Sequence, residues 1–381
     1  MYQPSPELQK RLDPVSAIEA KTIKHEQRRV NIMKGLAGVA VIGLFAGAHV
    51  SAFAADIRNN QELQATSIIS VEEYGTPLDK ASNSNALVFL DGFGSVDANV
   101  LTKYLSPAIQ PIQDGRLWSV GYNDAPLSYE EIADQTIAKA NTEGVTSISL
   151  VGESGGGSIA VEVADRIQLT SNISVNSIYL MFAPNGVAGL QPDHQDQMNM
   201  VEWVKDIPGV VYSTPARLLL ELGFRSDDFT HGTLIENFGN FWDTAHHVSD
   251  SIAEKKLPGT WLMADQALQI GTADMETHIK NMGKAPSYKV RPTMIYVKTK
   301  YDPVVNDNKS SKELGGYAHA AGVPYLQYNV PGAVHGQPAI NSEAYVKTFE
   351  AAKVLIKASI DAQLARACLH RITSMIPPKQ N

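Results

Sequence analysis

Cysteine is almost missing from this chain. Among 381 residues there is one, Cys368, so no internal disulfide can form, and a thiolate metal cluster, which needs several such ligands, is excluded. The position of Cys368 in a C-terminal helical pattern gives it no evident role as a reactive thiol. Basic charge is also scarce. Lys and Arg number 32 against 40 Asp and Glu, for a formal net charge of -8. No long basic run occurs outside the N-terminal segment, which argues against a nucleic-acid partner. No internal repeat is apparent, and no His pair has zincin spacing with a carboxylate. Long uncharged runs made almost throughout of apolar residues and glycine are lacking too, with a single exception near the N-terminus. What remains is an ordinary globular composition, 44% hydrophobic and 19% charged, long enough for a large core with an insertion or for two domains.

The exception is residues 35–55, which carry no Asp, Glu, Lys or Arg and are mostly apolar or glycine. About 20 such residues are enough to cross a bilayer as a helix. Arg28, Arg29 and Lys34 precede the run, so residues 1–34 are expected to stay cytoplasmic and the body to be exported. Ala52-Phe53-Ala54 resembles a small-residue cleavage site. The run reads either as a cleaved signal peptide or as a retained transmembrane anchor. The expected location is therefore the cell membrane with an extracytoplasmic body, or the exterior. Residues 56–85 read as a polar connector, with one early strand at Ser67–Val71.

From Ala86 the pattern alternates. Apolar runs of strand length begin at Ala86, Leu117, Ser147, Ser177, Thr293 and Tyr325, and helical spacing is found between them at Tyr129–Ala140, Ser311–Ala321 and Glu343–Leu364. Near-continuous apolar strands alternating with helices predict an α/β fold with a mostly parallel central sheet covered by helices on both faces. Residues 86–184 and 290–367 make up this expected core, and 368–381 a tail. Residues 185–289 break the alternation with helical segments, Trp203, Trp242 and Trp261, and read as an inserted helical cap. His194, His231, His246 and His247 fall in that stretch. They read as solvated or structural residues, and no metal site is expected.

Gly152-Glu153-Ser154-Gly155-Gly156 carries the strongest signal. The strand Ser147–Val151 runs into it and a small-residue helix from Ser158 runs out of it. A Gly-x-Ser-x-Gly sequence between strand and helix sets the serine on a tight bend above the sheet, with glycines where backbones must approach. Taken alone, the motif also fits a turn with an idle serine or an anion-binding nest. No Lys-Ser/Thr pair follows, which sets a Walker loop aside. Two further loops follow strands: Tyr301-Asp302-Pro303-Val304-Val305, and Pro331-Gly332-Ala333-Val334-His335-Gly336. A serine, an acid and a histidine thus stand beyond three strand ends in the order Ser154, Asp302, His335.

In these three loops, and over roughly Ala86–Leu364 without the cap, the sequence resembles the α/β-hydrolase superfamily. The resemblance implies a helical cap on the α/β-hydrolase fold and a catalytic triad. Ser154 would be the nucleophile, His335 the general base and Asp302 the group that orients the imidazole. Asp307, in the same loop, is the nearest competitor for the acid, and its Asn306-Asp307-Asn308 context reads as a solvated turn and helix start. The oxyanion hole would use the N–H of Gly155 and one N–H from Asp91-Gly92-Phe93-Gly94-Ser95, with Phe93 first and Gly94 next. Many relatives have histidine where this chain has Asp91. Glu153 reads as structural or as standing behind the reacting groups.

These features predict an exported or membrane-anchored serine hydrolase of the esterase or lipase type, working through an acyl-enzyme without a cofactor. An aromatic-bearing cap suggests a partly apolar, lipid-like acyl substrate. Peptidase, thioesterase and acyltransferase chemistry would use the same groups. A non-catalytic surface binding protein, favoured by Asp91, and a cofactor-free haloperoxidase-like enzyme are the alternatives.

Overall fold

The computed structural model describes residues 68–75, 84–123, 125–195, 198, 234–253, 260–286 and 289–375. The expected leader and hydrophobic run at 35–55, most of the connector, His231 and Trp203 lie outside the described residues. Among the described residues no helix is long and apolar enough to cross a membrane.

Seven strands form one sheet: β1 (Ser70–Glu73), β2 (Asn85–Leu90), β3 (Arg116–Gly121), β4 (Ser147–Glu153), β5 (Ser174–Met181), β6 (Thr293–Lys298) and β7 (Tyr325–Asn329). Their spatial order is β1-β3-β2-β4-β5-β6-β7. All neighbours run parallel except β1, which pairs antiparallel with β3 at the edge. The strands alternate with α1 (Asn99–Ile109), α2 (Tyr129–Glu143), α3 (Gly155–Thr170), α4 (Leu234–Ala253), α5 (Thr260–Thr272), α6 (Met275–Lys284), α7 (Asp307–Ala321) and α8 (Ser342–Met375).

The period of two along each strand sends neighbouring side chains to opposite faces. Val88 and Leu90 join Trp118, Ile148, Leu150 and Ile178 under α2, α3, α6 and α7. Leu87 and Phe89 join Val151, Tyr179, Ile295 and Val297 under α1 and α8, which supply Leu101, Leu105, Tyr345 and Phe349. Both faces are covered, which is why these strands read as continuous apolar runs.

The boundaries differ from expectation in three places. Helix α1 was not predicted, because Pro107 interrupts its pattern; the proline falls in the last turn, and Leu101, Leu105, Ala108 and Ile109 still bury one face. Within 185–289, α6 packs on α3 and α7 and gives Met275, Ile279 and Met282 to the core. Helix α8 continues through the expected tail to Met375, since no glycine or proline interrupts it before Pro377.

Candidate active site

The site is built where parallel strands end. Strand β4 runs straight into Ser154, whose backbone has φ 52° and ψ -127°, an uncommon conformation for a residue with a side chain. Ser154 is held there by its N–H, which donates to Met181 O at 2.9 Å, and by its carbonyl, which accepts from Gly157 N at 3.0 Å. The neighbouring glycines are needed for space. A β-carbon on Gly152 would lie 2.3 Å from Gly156 O, and one on Gly156 would lie 2.3 Å from Leu90 O. The turn therefore exists only because two backbones meet without side chains between them.

Asp302 follows β6 and His335 follows β7. The structure brings both to Ser154. His335 Nε2 lies 2.9 Å from Ser154 Oγ, and His335 Nδ1 lies 2.8 Å from Asp302 Oδ2. Asp302 is buried, and its other oxygen accepts from the N–H groups of Val304 and Val305, each at 2.8 Å. A carboxylate with both oxygens engaged cannot swing away from the imidazole. Phe182, after β5, packs its ring 6.1 Å from the His335 ring, centroid to centroid. Its contribution was not anticipated from the sequence. Asp307 takes no part in this chain of contacts, and contrary to expectation it is buried. It accepts from Tyr296 Oη at 2.8 Å and from Thr299 N at 3.1 Å. Burial pushes its carboxyl up to about 6.

A strand-to-helix elbow carrying the serine, an acid after β6 and a histidine after β7 on a parallel sheet with one antiparallel edge is a specific combination. The fold is that of the α/β hydrolases. The sequence matches no family model and no curated relative. Solved structures similar to it include a thermophilic esterase from Thermogutta terrifontis, at 14% identity over 76% of this chain and 93% of that one, TM-score 0.44. Another is a carboxylesterase study of the ammonia-oxidizing thaumarchaeon Nitrososphaera gargenis, at 12% identity over 81% and 96%, TM-score 0.43. A third is a proline iminopeptidase from Mycobacterium smegmatis, at 12% identity over 77% and 95%, TM-score 0.42. None of them carries a substrate over to this chain.

The N–H groups expected from the sequence to face an oxyanion lie next to Ser154. Gly155 N starts α3 here, immediately after Ser154. The loop after β2 lies against it: Phe93 N is 3.8 Å from where a Gly155 β-carbon would stand. Three N–H groups of that loop donate to named acceptors. Gly92 N donates to Asp91 Oδ1 at 2.7 Å, Gly94 N to Gln266 Oε1 at 2.8 Å, and Ser95 N to Gly92 O at 3.4 Å. Gly94, the second choice from sequence, donates to Gln266, and Phe93, the first choice, has its N–H group beside Gly155.

The surroundings are acidic. Burial pushes the Asp91 carboxyl up to about 6, opposed by its bond to Gly92 N. Glu153 is buried beside Ser154. Burial first, and then the Asp91 and Asp302 charges, hold its carboxyl well above the usual range, against the pull of Gly336 N–H. His246 and His247 lie exposed on α4, His246 against the Trp242 ring. Cys368 is exposed on α8.

Proposed function

We propose that this chain is a serine hydrolase that cleaves an ester or related acyl bond through an acyl-enzyme. The observation that supports it most directly is the continuous hydrogen-bonded path Ser154 Oγ–His335 Nε2 and His335 Nδ1–Asp302 Oδ2, at 2.9 and 2.8 Å. In this reading Ser154 Oγ attacks the acyl carbon while its proton passes to His335 Nε2. The carbonyl electrons move onto oxygen, which the N–H groups of Gly155 and Phe93 stabilise. Collapse expels the alcohol, which takes the proton from His335. Water, deprotonated by the same imidazole, then attacks the acyl-serine and releases the acid. Asp302 keeps the proton on Nδ1, so that Nε2 faces Ser154 as an acceptor.

The substrate side of the reading rests on an apolar cluster bordering the elbow. Leu190, Met198, Met263, Ala267, Ile270 and Val305 are buried together, with Phe93 and Val304 packed against them. An Ile270 side-chain carbon would lie 3.2 Å from a β-carbon on Gly155. Such a lining suits an apolar acyl or alcohol group. Export or anchoring through residues 35–55 belongs to the same proposal, and fractionation of cells expressing a C-terminally tagged chain tests it: tagged protein confined to the cytosol refutes it.

Asp91 is the observation that favours a binding protein instead, because a carboxylate in the oxyanion loop opposes negative charge nearby. A fluorophosphonate probe separates the two. Hydrolase chemistry requires labelling of the wild type and its loss in Ser154→Ala, together with turnover of a graded p-nitrophenyl ester series. Folded wild-type protein that neither labels nor turns over any ester is a binder.

A further inference from the structure

Gln266 sits on α5, in the stretch read as a cap, and is 3% exposed. Its helix face is otherwise apolar, with Leu262 one turn before and Ile270 one turn after, both buried. A buried amide on such a face needs partners for both ends. It finds them in one loop across the site: Oε1 accepts from Gly94 N at 2.8 Å, and Nε2 donates to Ser95 O at 2.8 Å. These two groups stand on the C-terminal side of Phe93. On its N-terminal side Asp91 Oδ1 fixes Gly92 N at 2.7 Å, and Tyr122 Oη donates to Asp91 O at 2.6 Å. The loop's own backbone closure is one long bond, 3.4 Å from Ser95 N to Gly92 O, beside a side-chain bond between Ser95 and Asp91, and Gly94 has φ +86°. A loop with two glycines has little preference of its own for one backbone path. One turn further along α5, Ile270 covers Gly155. The helix therefore touches both halves of the presumptive hole at once. It is itself tied down: Asp265 Oδ2 accepts from Leu127 N at 3.0 Å, and Gln269 Nε2 donates to Glu162 on α3.

We infer that Gln266 is a positioning residue which, from the inserted helix, assembles the oxyanion hole by clamping the loop that presents Phe93 N. The inference rests on the serine-hydrolase reading. It makes the insertion part of the turnover machinery, since the bond pattern that orients Phe93 N is complete only with α5 in place.

The test uses two substitutions in the full chain, with ester turnover followed from pH 5 to 9 and thermal midpoints recorded for each protein. Gln266→Leu removes both bonds and should lower kcat by about 100-fold, the scale of one lost oxyanion donor, with KM changed far less. Gln266→Glu is nearly isosteric. As a neutral acid it accepts from Gly94 N and donates to Ser95 O; ionised, it loses the donor and sets negative charge against that carbonyl. Its kcat relative to wild type should therefore fall as pH rises through the titration of the new carboxyl. Packing alone would not produce such a pH-dependent ratio. Folded Gln266→Leu with wild-type kcat, a loss confined to KM, or a Gln266→Glu ratio flat across pH overturns the inference. Where Gln266→Leu fails to fold, the Gln266→Glu ratio decides. Wild type without turnover, or Ser154→Ala that retains it, brings down the hydrolase reading and this inference together. A dead Ser154→Ala beside unaffected Gln266 variants brings down this inference alone.

Discussion

Replacing Gly92 by alanine should disable the reaction without unfolding the protein. A β-carbon there would lie 2.8 Å from Ser154 Cβ, 2.8 Å from Glu153 O and 3.0 Å from Gly155 N. Carbon atoms pack at about 3.5–4.0 Å, so the two segments must part by about 0.7–1 Å. The elbow has no slack to yield, because its backbones already lie so close that a β-carbon on Gly152 or Gly156 would stand 2.3 Å from a backbone oxygen. The loop after β2 must therefore retreat and carry Phe93 N with it. A donor works only when about 2.7–3.1 Å from the oxyanion, and losing one costs about 10²–10³ in kcat. Overpacking of this kind costs about 1–3 kcal/mol in stability, a thermal shift of several degrees. The control is Gly115→Ala at the opposite end of the sheet, where the new β-carbon would lie 2.9 Å from Asn85 O. Both variants should lose comparable stability, and only Gly92→Ala should lose kcat in a p-nitrophenyl ester assay below both midpoints. Equal kcat losses would mean that stability alone is being read, and wild-type kcat in Gly92→Ala would refute the proposed hole.

Asp302→Asn can keep its oxygen on Val304 N and Val305 N, which turns the amide NH₂ towards His335 Nδ1 and forces the proton onto Nε2. We expect kcat to fall by about 10³–10⁴-fold with the fold intact, and a loss below tenfold would remove Asp302 from the mechanism. Asp307 has a folded-state value of about 6 against an ordinary 3.8. The folded protein thus holds this proton more tightly, and ionisation between about pH 4 and 6 reduces stability by up to about 3 kcal/mol. Thermal midpoints over that range should decline less with rising pH in Asp307→Asn than in wild type, and an unchanged slope would contradict the burial argument. Asp91→Asn keeps an acceptor for Gly92 N while removing a negative charge from the oxyanion loop, so kcat/KM at pH 8 should rise; a tenfold fall would show that the carboxylate serves the reaction.

The order of strands and helices was legible because the central strands β2 to β6 are mostly buried on both faces and so read as plain apolar runs. Ser154, Asp302 and His335 were legible because each belongs to a short motif directly after such a run. Helix α1 was hidden by Pro107, whose effect depends on its place in the last turn. Position in a helix is not visible until the helix is known. Gln266 left one trace, an amide on the apolar stripe Leu262-Gln266-Ile270, but its partners lie 171 and 172 residues away in sequence. No local pattern encodes a contact of that range. Asp307 was misjudged for the same reason: polar neighbours in sequence suggested solvent, whereas Tyr296 and Thr299 enclose it.

The acidic surroundings bear on how such a site can work at all. Asp91, Glu153 and Asp302 gather around one imidazole, and three full negative charges there would oppose an oxyanion strongly in a poorly solvated setting. Their environments divide them. Asp302 is the carboxylate with backbone N–H groups on one oxygen and the imidazole on the other. Glu153 is buried and held well above the usual range, which favours its neutral form. Asp91, at about 6, lies between them, and its charge points into its own loop through Gly92 N. The negative charge that remains near the imidazole is thus placed where it supports imidazolium, on the far side of the ring from Ser154. One buried oxygen of Glu153, Oε1, has no hydrogen-bond partner, whereas both oxygens of Asp302 are engaged. The same burial therefore meets two carboxyls of one site with unequal hydrogen-bond support.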